Sequence, residues 1–402
     1  MADAADDLEA FRAEAAAWLK ENFPASLKGR GMMMMGQGGP PVGDDASAWR
    51  KTMGAKGWGT PTWPKRYGGG GLTPAQARVL QQEMAKAGAY NPIGGMGVMM
   101  FGPTLLEYGN EEQKNRHIPK ICTGEIQWCQ GYSEPGSGSD LASLQTRCED
   151  KGDHYLVNGQ KIWTSGAHTA DWCFCLVRTD TSKKHEGISF ILIDMKTPGV
   201  MPKPIRLIND TTPFCETFFT DVKVPKENLV GQLNGGWTIG KRLLQFERQN
   251  ISGSLAGGGG GARRPAGQVA ANSIEDIAKR GLGTDAQGRL ADKDFRQRIT
   301  LHKMENQAFG LTGQRSAMEA KSNSGPSAAT SIMKYAGAKI AQERTELTVE
   351  ALGNRGFGWS GDGFSAFEIG AVKGWLRAKA NSIEGGTSEI NLNVVSKRVL
   401  EL

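Results

Sequence analysis

Between residues 125 and 235 the hydrophobic pattern of this chain changes its period, and that change limits the folds open to it. Runs such as 172–178, 188–194 and 218–224 are rich in β-branched and aromatic residues. Gly, Pro, Asp or Asn break them at hairpin intervals, as in a small antiparallel β domain or barrel. Both flanks repeat at three- and four-residue steps instead. Leu8, Phe11, Ala15 and Leu19 fall on one face of a helix over 7–22, which Phe23-Pro24 ends. Residues 47–56, 92–106 and 111–121 also favour helix, and Thr73-Pro74-Ala75 is an N-cap with proline at the first helical position, opening a helix through Lys86. Past Trp237 the segments 240–249, 294–321, 327–352 and 366–380 are helical again. A chain of 402 residues exceeds one ordinary core. The expected class is α+β, with a helical domain over 1–124, a central antiparallel β domain over 125–235 and a helical domain over 236–402.

Other segments lack a period. Residues 29–45, with Met32 to Met35, read as a loop. Residues 57–71 carry prolines and glycines that exclude regular structure, so Trp58, Trp63 and Tyr67 must pack from irregular backbone. The five glycines at 257–261 are either a linker or a helix passing close to a bulky group, and 281–288 is a polar break. The formal charge of +6 is modest, and no concentrated basic run points to nucleic acid. The acidic N-terminus lacks a signal-peptide stretch and no window reaches a membrane span, which leads to a cytoplasmic expectation. The six cysteines show no zinc-like pairing and read as reduced core thiols, Cys173 and Cys175 sharing one strand face. The five histidines show no metal-ligand spacing.

Chemistry concentrates in 130–179. Tyr132-Ser133-Glu134-Pro135-Gly136-Ser137-Gly138-Ser139-Asp140 permits tight, left-handed turns whose N–H and hydroxyl groups converge on a polar or anionic ligand. Then comes Tyr155-Leu156-Val157-Asn158-Gly159-Gln160-Lys161-Ile162-Trp163-Thr164-Ser165-Gly166, read as a hairpin turning at Asn-Gly. Its indole and hydroxyls suit a flat heteroaromatic ring. Together with 57–71, the run 221–231 (DVKVPKENLVG) and Gly386-Thr387-Ser388-Glu389-Ile390, these motifs fall in one order over nearly the whole chain. In that order the chain resembles the acyl-CoA dehydrogenase family, flavoproteins that oxidise acyl-CoA thioesters to 2-enoyl-CoA.

The resemblance implies the fold of that family, with a C-terminal four-helix bundle, and FAD as cofactor. It implies an acyl-CoA substrate, an electron-transferring flavoprotein as acceptor, and assembly as a homotetramer or a heterotetramer with a homologous subunit. A carboxylate removes the α-proton while hydride leaves the β-carbon for flavin N5. By residue-wise resemblance Gln130, Tyr132, Ser133, Gly138 and Ser139 touch the flavin or the near end of CoA, Ser139 on the substrate side. Trp163 and Ser165 lie at the ring edge, and Thr387 and Glu389 hold the adenosine part. Three departures stand out. Gly385 occupies the place of the usual loop Glu, with Glu384 one residue early, while Glu247 matches an alternative base position on the first long C-terminal helix. Glu247, Glu384 and a base absent from this chain therefore stay open, and Gly385 keeps an N–H for the thioester carbonyl. The usual Arg-x-x-Phe-Gly is replaced by Asp294-Phe295-Arg296-Gln297-Arg298, leaving Arg296 or Arg298 for the pyrophosphate. Asn354 follows Gly353 where a second Gly is usual in a turn that closes over FAD.

Overall fold

A computed structural model describes residues 2–28, 43–256, 273–322 and 330–402, without the side chains of 2–6, 247–256, 317, 320–322, 330–331 and 398. Met32 to Met35, the glycine run 257–261 and residues 327–329 of an expected helix lie outside the described residues. The chain divides into two compact units, Met1–Ile205 with Thr212–Phe246, and Arg206–Thr211 with Glu247–Leu402. Among the described residues no helix is long and apolar enough to cross a membrane.

The first unit opens with helices α1 (Ala2–Asn22), α2 (Asp44–Lys56), α3 (Pro74–Ala87), α4 (Gly102–Tyr108) and α5 (Glu111–Thr123). The expected cap of α3 is present: Thr73 and Gln76 form a reciprocal capping box ahead of Pro74. Helix was expected over 92–106, but it starts only at Met96, through a π-helical turn over Gly97–Phe101. Pro92 and Gly95, the latter at φ 82°, hold the preceding backbone out of it. Phe11, Leu19, Trp49, Met53 and Leu80 of these helices form one buried cluster with Trp58. The irregular 57–71 segment packs as required, with Trp58 and Tyr67 buried and the Trp63 ring filling the space beside Gly102.

Eight strands follow: β1 (Trp128–Gly131), β2 (Arg147–Asp150), β3 (His154–Ser165), β4 (Trp172–Arg178), β5 (Ile188–Asp194), β6 (Val200–Ile205), β7 (Phe214–Pro225) and β8 (Leu229–Val230). They lie in the order β6-β7-β3-β2-β4-β5-β8, with β1 against β4. The sheet is antiparallel except where β4 meets β1 and β2 in parallel. Strand alternation sorts its two faces. Phe174, Leu176, Phe190 and Leu192 pack with Phe101 and Ile118 of the helical layer, while Cys173, Cys175, Val177, Ile191 and Ile193 face the other way. The Phe101, Phe174 and Phe190 rings are stacked at 5.4 and 6.2 Å. Each fully buried side chain of this kind contributes about 1.5–3 kcal/mol. All six cysteines are free and buried, and Cys173 and Cys175 share a face.

The Asn158-Gly159 hairpin turn is not found. Residues 154–165 form one strand, and Asn158-Gly159 lies opposite a bulge on β7, where the register slips by one residue at Thr220-Asp221. Asn158 Nδ2 donates to Asp221 Oδ1, and Asp221 N donates back to Asn158 Oδ1, locking the bulge from the neighbouring strand. Gly159 is needed because a Cβ there would stand 2.7 Å from Thr146 Cα. Gly159→Ala is expected to lower unfolding free energy by about 1–3 kcal/mol, read as a fall in the urea midpoint with unchanged m-value.

Helix α6 (Gly236–Ala256) buries Ile239 and Leu243 in the first unit and enters the second at residue 247. The second unit adds α7 (Ile274–Leu282), α8 (Lys293–Ser322), α9 (Thr330–Ala351), α10 (Ala366–Ala378) and α11 (Ser388–Arg398). Helix α9 packs against α7, α8, α10 and α11. Ile277, Phe295, Ile299 and Leu347 form a core there. The polar break expected from residue 281 begins two residues later, because Gly281 is helical. Its missing side chain admits Ala351 O, 2.0 Å from where a Cβ would be.

Candidate functional site

In the first unit, the predicted cradle and the strand carrying Trp163 are neighbours. Ser133 O accepts from Ile162 N at 2.8 Å. Gln130 is half-buried on β1. The buried Tyr132 stands edge-on to Phe174 and Phe190 at 6.1 and 6.4 Å. Glu134 and Ser137 exchange two backbone hydrogen bonds of 3.0 Å around Pro135-Gly136. The expected left-handed glycines are absent, since neither Gly136 nor Gly138 has a positive φ. Nothing lies within 4 Å of a Cβ built on either, so the chain itself does not require glycine there. Their contribution is open space beside the exposed Gly138 and Ser139.

Trp163 does not belong to the core. It is 54% exposed, at φ 61°, in the second irregularity of β3, between Lys161 and Thr164. Left-handed backbone costs a non-glycine residue about 1–2 kcal/mol, and an indole more than half exposed recovers only part of what its full burial would give. Its ring contact is edge-on to Phe214 at 6.1 Å. The half-buried Ser165 ends the same strand. A flat, partly apolar ring laid against Trp163, with phosphate and hydroxyl groups over Gly138, fits both observations.

Sequence reasoning gave Lys161 and Glu134 no role. The ammonium is wholly buried and lies 2.7 Å from Glu134 Oε1, which is 8% exposed. It also donates to Tyr132 O at 3.1 Å. Gln145 N and Thr146 N donate to the same carboxylate at 2.6 and 2.9 Å. Burial alone would raise the Glu134 pKa, but the charge and hydrogen bond of Lys161, with those from Thr146 and Gln145, bring it below the ordinary carboxylate value.

The second unit holds the other predicted residues. Gly385 and Gly386 follow one another at φ 65° and 93°. A glutamate at Gly385 would be strained, which accounts for glycine there. The loop is held on several sides. Gln342 Nε2 donates to Ala378 O and Lys379 O, Lys334 Nζ to Asn381 O, and Asn391 Nδ2 to Gly386 O and Thr387 O. Thr387 caps α11 through Ile390 N, and the exposed Glu389 occupies its first turn. Glu384 is paired with Arg377 at 2.7 Å.

Arg298 is committed to Glu350 by two bonds of 2.5 and 3.1 Å, whereas Arg296 reaches Leu290 O at 3.4 Å and Asp285 at 3.9 Å. Of the two, Arg296 is freer to take a phosphate. Gly353, at φ 55°, begins a 3-10 turn anchored by Arg355 on Glu368, whose carboxyl that guanidinium brings down to about 2. The side chain of Glu247 lies outside the described residues, and its backbone is helical in α6.

Three family profiles match in order: "Acyl-CoA dehydrogenase, N-terminal domain" over 5–125, "middle domain" over 129–222 and "C-terminal domain" over 234–400. The chain is 34% identical over 405 residues to acyl-CoA dehydrogenase IpdE1 of Mycobacterium tuberculosis, covering 98% of each. It is 37% identical over 343 residues to FadE34 of the same organism, covering 85% of this chain and 44% of that one. Among solved structures, it superposes on the Tcur3481-Tcur3483 steroid ACAD with TM-score 0.72, 29% identity and 99% and 98% coverage. For the ChsE4-ChsE5 complex from Mycobacterium tuberculosis the values are 0.72, 27%, 98% and 97%.

Proposed function

Since the chain belongs to the acyl-CoA dehydrogenase family, we propose that it performs FAD-dependent α,β-dehydrogenation of an acyl-CoA thioester. The observation that carries this reading is the exposed, strained Trp163 on a strand joined, through Ile162 N and Ser133 O, to the segment that opens at Gly138 and Ser139. FAD, when bound, supplies the hydride acceptor. Trp163 covers the ring edge and excludes water, while the Ser165 hydroxyl and the polar groups of Gln130, Tyr132 and Ser133 orient it. Gly138 leaves room for the cofactor or CoA, with Ser139 on the substrate side. Arg296, Gly353, Thr387 and Glu389 serve the phosphate and adenosine parts. Glu247 takes the α-proton, and Gly385 N–H donates to the thioester carbonyl, which acidifies that proton. Electrons pass to an electron-transferring flavoprotein. Of the two structural relatives, one is a steroid ACAD and the other a complex of two proteins, which supports a bulky, steroid-derived acyl group and a tetramer containing a homologous subunit.

The test is anaerobic mixing of FAD-loaded protein with a panel of acyl-CoAs, with and without the homologous partner, following loss of the flavin band. Bleaching by steroid-side-chain thioesters is expected. A protein that takes up no FAD refutes the reading. Direct peroxide formation without an acceptor would instead identify a related oxidase. A second reading, a subunit that shapes the site without supplying a base, draws on Gly385 having no carboxylate and Glu384 being paired with Arg377.

The Gly385 donor has its own check. Gly385→Pro removes the N–H and forces φ negative, whereas Gly385→Asn keeps the N–H and tolerates left-handed backbone. The proline variant is expected to lose about 10²-fold or more in kcat, with the asparagine variant within several-fold of the unaltered protein. Steady-state kinetics on the same thioester decide.

A further inference from the structure

The buried Lys161 and Glu134 pair has no part in the chemistry just described, yet it lies at the origin of the bulge that presents Trp163. Replacing a buried ion pair by well-packed apolar groups is often neutral or stabilising, so stability alone does not explain keeping one. Direction does. Apolar packing constrains a group by volume and shape, whereas charge-assisted hydrogen bonds also fix the direction between the particular atoms they join. The Lys161 ammonium ties the cradle segment, through Tyr132 O and Glu134, to β3, and Glu134 ties both to Gln145 N and Thr146 N. Directly after Lys161 the register with β7 slips, and two residues on Trp163 enters φ 61°. A bulge re-aims a side chain, but only if the strand before it cannot slide.

We propose that Lys161 is a positioning residue: anchored on Glu134 and the Tyr132 carbonyl, it fixes the bulge that aims the Trp163 indole at the cofactor ring. The proposal rests on the flavin reading above. Its experiment is a double-mutant cycle on FAD affinity, measured by flavin fluorescence quenching with apoprotein. The four proteins are unaltered, Lys161→Gln, Trp163→Phe and the double variant. Lys161→Gln is chosen because its amide still fills the site and donates to one oxygen, and thermal unfolding of each protein is followed in parallel. Lys161→Gln is expected to weaken FAD binding about tenfold when Trp163 is present and less than twofold in the Trp163→Phe background. Equal losses in both backgrounds, or a loss that merely follows the change in melting temperature, overturn the proposal. Absence of FAD binding by the unaltered protein overturns the flavin reading and this inference with it. Should Lys161→Gln not fold, the cycle is run with Glu134→Gln/Lys161→Met, which leaves no buried charge and is judged by the same non-additivity.

Discussion

Lys161→Met lowers the free energy of unfolding by about 3–5 kcal/mol, the range for removing one partner of a buried ion pair. The lysine side chain is completely buried and Glu134 is 8% exposed, so water cannot replace the lost ammonium. The carboxylate keeps the Gln145 and Thr146 N–H donors but no counter-charge. The pH dependence identifies the cause. The folded pKa of Glu134 is depressed, because the burial that would raise it is outweighed by the charge and hydrogen bond of Lys161, followed by Thr146 and Gln145. A depressed carboxylate contributes stability that is fully present above its unfolded pKa, about 4.3. That contribution is lost as pH falls through the lower folded value. The gap between the unaltered protein and Lys161→Met is therefore widest near neutral pH and narrows in acid. Urea unfolding across pH 3–7 checks this, and Glu134→Gln added to Lys161→Met should restore much of the loss at pH 7. A gap independent of pH would assign the effect to packing instead.

That prediction also shows what the residue pattern hides. Helix and strand positions were legible wherever period and punctuation agreed. The strands at 172–178 and 188–194 match their expected runs, because both faces are buried and β-branched or aromatic residues fill them. Helix α3 began at its visible cap. Asn158-Gly159 misled because the pair reads as a type I′ turn, whereas here it lies opposite a bulge on β7, where Asp221 takes φ 50°, and only the hydrogen bonds from that strand reveal it. Alternation from the buried Tyr155 and Val157 does place Lys161 inward, and only after Lys161, at the second irregularity, does β3 change face. An inward lysine is itself a signal for a buried carboxylate, and Glu134 stood in the cradle motif. Helices α7 and α11 were missed. Helix α7 follows directly on a segment without period, and α11 begins in a motif read only for its ligand. The residues attributed to FAD came from resemblance, and their arrangement comes from pairings between distant segments, such as Ser133 with Ile162.

The largest effect on turnover is expected at Glu247. Glu247→Gln keeps size and hydrogen bonding but cannot accept the α-proton, and loss of a general base lowers kcat by about 10²–10⁴-fold. The other carboxylate in question has a different position. Glu384 and Arg377 form a partly exposed pair at 2.7 Å, with side-chain exposures of 41% and 22%. Such pairs contribute about 0–1 kcal/mol, so Glu384→Gln should change kcat by no more than several-fold. Gly385 offers no side chain, and a carboxylate restored there by Gly385→Glu would need left-handed backbone at φ 65°. The measurement is single-turnover bleaching of the FAD-loaded assembly by one thioester, with both variants at matched FAD content. A hundredfold or greater slowing confined to Glu247→Gln supports a base on α6. Unchanged bleaching in both variants moves proton abstraction to a homologous companion subunit. This chain would then be left with the cradle, the indole and the Gly385 donor as its contribution to the site.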